Sequence, residues 1–188
     1  MKKSILNARF GTLCFIVLAA GIIRLIPQPY NFAPIGAMAL FGGAYFGKRW
    51  RAFLVPLAAL FISDLVVNYA FYQEFVLFHE MAIWVYGAFA LNVIIGSSLI
   101  KKVKISTVTT ASVSAALLYY IITNFGVWAM PGIMHIYPMT PAGLAACYIA
   151  GIPYLWGSVA GNLFYSAILF GVFELAQRRF PVLALKTV

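Results

Sequence analysis

The chain has 188 residues, of which 64% are hydrophobic and only 9% charged, although it carries a net charge of +9. A soluble domain devotes roughly a quarter of its residues to charge, and here the apolar residues form long runs, so a water-soluble globule is excluded. Nucleic-acid binding is excluded as well, because the basic residues are confined to short clusters between apolar runs.

The pattern predicts an all-α integral membrane protein with six transmembrane helices. Spanning a bilayer core of about 30 Å takes roughly 20 apolar residues, and the runs approach that length. Helix 1 is expected over about 10–26, as an uncleaved span rather than a signal peptide, with Pro27 and Pro29 ending it. Helix 2 (33–47) is short and rich in small residues, including Gly43-x-x-x-Gly47, a spacing that allows close backbone approach. Helix 3 (52–72) contains Pro56 as a kink. Helices 4 (81–100) and 5 (106–130) follow, and helix 6 (157–176) opens with Gly157-x-x-x-Gly161. Between the last two, 131–156 is apolar but interrupted by Pro131, Pro138, Pro141 and Pro153. It reads as a loop or re-entrant segment with a short helix near 142–150. The whole chain forms one transmembrane domain.

Charge orients the spans. With six of them, the N-terminus, loops 2 and 4 and the C-terminus lie on one side, and they hold every Lys and Arg except Arg24. Cytoplasmic loops collect positive charge, so both ends are expected inside, in the inner membrane of a bacterium.

Polar residues within spans are costly and mark candidate sites. Asp64 is the carboxylate placed deep in a span, about 18 Å along helix 3 at 1.5 Å per residue. Asn68 and Tyr72 follow at i+4 and i+8 on the same helix face. The outer loops 1, 3 and 5 are aromatic, stiffened by proline and nearly uncharged. Loop 1 offers Asn31 and Phe32. Loop 3 offers His79, next to Met81 at the start of helix 4, which also brings Tyr86. Helix 5 contributes Asn124 and Trp128, and loop 5 His135 and Tyr137. Together they predict a pocket for a small molecule, apolar with a few convergent polar groups. Glu174 is expected to pair with Arg178 one turn away, and Cys14 and Cys147 are read as packing residues. Neither histidine sits in a metal-binding spacing, and no nucleotide-binding loop or catalytic order of Ser, His and Asp is present, so no catalytic residue, resident metal or cofactor is assigned.

The runs 31–46 (Asn31-Phe-Ala-Pro-Ile-Gly-Ala-Met), Ser63-Asp64-Leu65 and Thr123-Asn124-Phe125-Gly126-Val127-Trp128 resemble the substrate-binding S components of energy-coupling factor (ECF) vitamin transporters. Within them the chain looks most similar to the BtuM-like cobalamin group, over nearly its whole length. The resemblance implies a six-helix bundle with outer loops 1, 3 and 5 over a pocket, with Asp64 and Tyr86 among the lining groups. It also implies uptake of a vitamin-like molecule, cobalamin or a related corrinoid, as a transported ligand, and an ATPase module as energising partner. Where that group places a cobalt-ligating cysteine near the start of helix 4, His79 and Met81 are the nearest donors in this chain. Two other readings start from the same residues: a membrane enzyme acting on a lipid or cofactor through Asp64, His79 and His135, and a scaffold subunit whose aromatic face binds another protein.

Overall fold

The structure is a computed structural model that describes residues 2–47, 49–73, 75, 77–130 and 136–184, with side chains at all of these except 2–7, 49 and 72. Among them there is no strand. Six α-helices follow one another: α1 (Lys2–Ile23), α2 (Ile35–Tyr45), α3 (Arg49–Tyr72), α4 (Ala82–Leu99), α5 (Ile105–Ala129) and α6 (Pro141–Arg179), with a closing 3₁₀ turn at Pro181–Leu183.

Four helices contain stretches long and apolar enough to cross a membrane: Trp50–Phe71, Ala82–Leu99, Ile105–Ala129 and Pro141–Arg179. Two further apolar helical stretches, Ala8–Ile23 and Ile35–Tyr45, are shorter. The outside of the bundle carries large bare apolar side chains on every long helix, among them Phe15, Leu54, Ile83, Ile121 and Ile149. A soluble monomer rarely exposes such a surface, whereas hydrocarbon covers it without cost. This is a multi-pass membrane protein.

Helix α2 is the hub. At 11 residues and 1.5 Å per residue it is about 16 Å long, half a bilayer core, yet it packs against each of the other five helices. Gly36 to Gly43 are all buried, the mark of a helix apolar on every side and enclosed by protein. Its small residues explain the closeness. A Cβ on Gly43 would lie 2.2 Å from the Val93 carbonyl oxygen, and one on Gly96 would lie 2.4 Å from that of Leu40, so α2 and α4 touch backbone to backbone. Gly47 has a different role from its expected partner Gly43. A Cβ on it would meet nothing within 4 Å, and its φ of +58° provides the left-handed turn that ends the helix. Gly157 and Gly161 approach the backbone of Tyr30 to Ala33, so α6 is pressed against the loop before α2.

Within the segment 131–156 expected to re-enter between helices 5 and 6, residues 141–156 form instead the first part of α6, which runs unbroken for 39 residues, while 131–135 lie outside the described residues. The prolines explain why. Pro141 occupies the first turn, where a missing N–H costs nothing, and Thr140 caps it by accepting from the Gly143 N–H at 3.1 Å. Pro153 lies inside the helix and removes one ladder bond without stopping it. Helix α1 also differs at its ends: it starts at Lys2 and stops at Ile23, three residues before the expected end.

At the end of the bundle bearing the basic clusters, Arg9 of α1 reaches the closing turn. It donates to Gln177 Oε1 at 2.7 Å and to the Leu183 carbonyl, and its guanidinium lies 5.1 Å from the Phe173 ring. Glu174 accepts from the Tyr45 hydroxyl at 2.5 Å and from Gln177 Nε2 at 3.1 Å. The expected pairing with Arg178 is replaced by these two contacts.

Candidate functional site

At the opposite end, the loop before α2, the start of α4 and the α5–α6 connection converge on one cavity of about 460 Å³. Asn31 comes from the first loop, Met81 and Val85 from α4, Thr123 and Asn124 from α5, Tyr137 from the connection, and Cys147 and Tyr154 from α6. Most of the wall is apolar or aromatic, with a few amide and hydroxyl groups, the make-up of a small-molecule site.

Local geometry sets these groups. Asn31 has a left-handed backbone, φ 57°, which Asn tolerates better than most residues. The Asn124 side-chain N–H donates to the Tyr120 carbonyl at 2.8 Å, one turn back. Gly151 makes room for that amide, since a Cβ there would lie 2.4 Å from Asn124 Oδ1. Thr123 donates to the Tyr119 carbonyl at 2.8 Å, and the Cys147 thiol to the Asn124 carbonyl at 3.3 Å. Above the cavity, the Trp128 indole N–H donates to the Pro138 carbonyl at 3.1 Å and braces the connection against α5.

A second, much smaller recess of about 40 Å³ adjoins the cavity, with Asn31 and Tyr119 belonging to the walls of both. Ala33, Ile35, Gly36, Asn92, Ser158 and Asn162 complete it. It is therefore bounded by the first turn of α2 and by three polar side chains from α4 and α6.

Of the residues expected in the site, Asn31, Met81, Asn124 and Tyr137 line the cavity. Phe32 does not. Its ring packs 5.5 Å from Phe164 and 5.6 Å from Tyr165, fastening the first loop to α6. His79 and Tyr86 border a separate hollow with Phe78 and Glu80, so His79 and Met81, the two candidate cobalt donors, line different recesses. Trp128 braces the mouth, and Asn68 lies one turn beyond Asp64 outside the lining. The Tyr72 side chain and His135 fall outside the described residues.

Asp64 is also absent from the cavity wall. One carboxylate oxygen lies 2.6 Å from Arg24 Nη1, and the other accepts from the Tyr86 hydroxyl at 2.7 Å. Arg24 also donates to Ser63 Oγ. The carboxylate and the guanidinium neutralise each other at the junction of α1, α3 and α4. Among the described residues no three His, Cys, Asp or Glu side chains gather in a way that could hold a metal ion.

Sequence reasoning passed over Arg24, Asn92, Tyr119, Ser158 and Asn162. Arg24 had a signal, as the one Lys or Arg outside the basic clusters. The others are single polar residues in apolar helices, each unremarkable until packing against α2 brings them together.

The profile of a family described as a family of unknown function (DUF6580) matches residues 4–183. The chain belongs to that family. No curated protein and no solved structure matches it.

Proposed function

We propose that this chain is a substrate-binding membrane protein for uptake of a vitamin-like small molecule, with the 460 Å³ cavity as its binding site. The observation that carries this reading is the convergence of three separate connections and three helices on one mostly apolar cavity at the end of the bundle away from the basic clusters. A scaffold subunit has no need of such a cavity, and among the described residues of the wall the one thiol, Cys147, donates to the Asn124 carbonyl with no His, Asp or Glu beside it to act as a base.

Six spans follow if α1 and α2 cross as well, with α2 completed by the loop before it. Positive charge then puts both chain ends in the cytoplasm of a bacterium and the cavity mouth outside. Loading from outside and release inside require two states with different affinity. As in the S components that the sequence resembles, an ATPase module on other chains would supply the energy. A corrinoid is the first ligand to test, and its bulk would require the α3–α4 and α5–α6 connections to part.

The experiment is a comparison of the detergent-purified protein with its Ala150→Trp variant, which places an indole in the cavity from a residue of its wall. Mass spectrometry and absorption spectra are taken before and after a cobalamin soak, and thermal shifts are read with a panel of vitamins. Retention or stabilisation in the parent, lost in Ala150→Trp at unchanged midpoint, is the expected result. A parent protein that carries nothing and responds to no vitamin sinks the reading.

A further inference from the structure

The small recess beside the cavity has one feature that packing alone does not explain. Asn92 is 1% exposed, and its side-chain oxygen is one of two buried side-chain polar atoms among the described residues with no hydrogen-bond partner. An unpaired buried acceptor destabilises a fold, because it has given up its bond to water and gained none in return. In a helix surrounded by hydrocarbon and apolar side chains, a leucine of similar volume would be cheaper.

The opposite wall provides donors. Helix α2 begins at Ile35 after Pro34, and no side chain caps it. Its first-turn N–H groups have no partner within the helix, and Ile35 and Gly36 both border the recess. The space that a Gly36 side chain would take is filled by the Asn162 amide, with Oδ1 2.2 Å from where a Cβ would be. Asn162 is held in place by its N–H donating to the Ser112 carbonyl at 3.2 Å. Ser158 and Tyr119 add hydroxyls that can donate or accept. Among the described residues no charged side chain borders the recess.

An uncapped helix start would favour an anion, but a carboxylate would face the Asn92 and Asn162 oxygens with no proton to offer them. A cationic amine would satisfy those oxygens but would face the positive end of α2. A neutral group with a carbonyl beside an N–H meets both walls: its oxygen accepts from the start of α2 and its N–H donates to Asn92 Oδ1. We propose that the recess at the start of α2 recognises the carboxamide, lactam or ureide end of a ligand whose apolar body occupies the adjoining cavity. Asn92 is the specificity-determining acceptor. The proposal rests on the cavity being a ligand site and names the chemistry it selects.

The test uses three probes with the same ring, benzamide, benzoate and benzylamine, added at millimolar concentration to the full chain in detergent. Binding is read by ligand-observed NMR. Benzamide is expected to bind at least about tenfold more tightly than either charged analogue. Asn92→Leu is expected to remove that preference while leaving the thermal midpoint equal or higher, since it removes an unpaired acceptor. Ser158→Ala, a milder change in the same recess, is expected to weaken benzamide several-fold without affecting benzoate. A purely structural Asn92 would do the reverse: its loss would lower the midpoint and leave the ranking of probes unchanged, which overturns the proposal. Failure of benzamide to bind overturns it as well. If all three probes bind alike and Ala150→Trp expels them together, the cavity reading stands and the carboxamide proposal alone falls.

Discussion

Arg24 and Asp64 meet at 2.6 Å, joining the end of α1 to the middle of α3 with a charge pair that is mostly shielded by protein, their side chains 15% and 10% exposed. The Tyr86 hydroxyl extends the contact to α4. The pair adds little by itself, since desolvation of both charges offsets their attraction. Removing one partner is a different matter, because the other is left charged and alone in an apolar bundle.

Asp64→Ala and Arg24→Ala are each expected to destabilise the fold by about 3 kcal/mol, read as loss of unfolding midpoint in detergent. The double replacement Arg24→Met/Asp64→Leu is expected to recover most of that loss. Additive losses in the double variant would show that the two residues act independently. This also changes the meaning of a binding defect in Asp64→Ala: the carboxylate does not line the cavity, so such a defect would report a loosened bundle rather than a missing ligand contact.

The pairing was legible in the sequence and easy to miss. Asp64 stands alone as a deep carboxylate and Arg24 alone outside the basic clusters, and two such exceptions in apolar helices have one obvious way to satisfy each other. The cavity was legible in part for a similar reason. Asn31, Met81, Asn124 and Tyr137 lie in or beside connections, where charge pattern alone assigns an end of the bundle. The recess was not legible, because Asn92, Ser158 and Asn162 are brought together only by the packing of α4 and α6 around α2. The long α6 was misjudged by counting prolines without their positions. Pro131 and Pro138 precede the helix, Pro141 starts it, and only Pro153 tests it.

Helix α2 can approach α4 so closely because of two glycines. Gly43→Ala and Gly96→Ala each drive a methyl into opposing backbone at 2.2 and 2.4 Å, and backbone cannot swing aside as a side chain does. Each is expected to cost about 2–3 kcal/mol. Gly87, also helical on α4, has nothing within 4 Å of its missing Cβ, so Gly87→Ala is expected to be neutral or to stabilise by up to about 1 kcal/mol through helix propensity. Equal effects at all three positions in thermal or denaturant unfolding would refute the close contact of α2 with α4.

At the basic end, Tyr45 links α2 to α6 by donating to Glu174 at 2.5 Å. A hydrogen bond to a charged group contributes about 1.5–3 kcal/mol, so Tyr45→Phe is expected to lower stability within that range while keeping the ring contacts with Phe41 and Phe173. In a double-mutant cycle with Glu174→Leu the two effects should be less than additive, since either change removes the same contact. Full additivity would mean that the Tyr45 hydroxyl does not act through Glu174.

The direction of the bundle in the membrane follows from where the charge lies. Lys101, Lys102 and Lys104 sit between α4 and α5, whereas the α3–α4 connection carries no basic residue. Moving several lysines outward against the insertion bias is unfavourable, so the proposed uptake reading puts the α4–α5 connection in the cytoplasm and the cavity mouth outside. Gln73 and Lys102 are both exposed and suit single-cysteine labelling in a Cys14→Ser/Cys147→Ser background. Gln73→Cys is expected to react with a membrane-impermeant maleimide in intact cells, and Lys102→Cys only after lysis. The opposite pattern would turn the cavity inward, making it a site for a cytoplasmic ligand and ending the uptake reading. Labelling of both positions in intact cells would mean that α4 does not cross, and the six-span arrangement would fall with it.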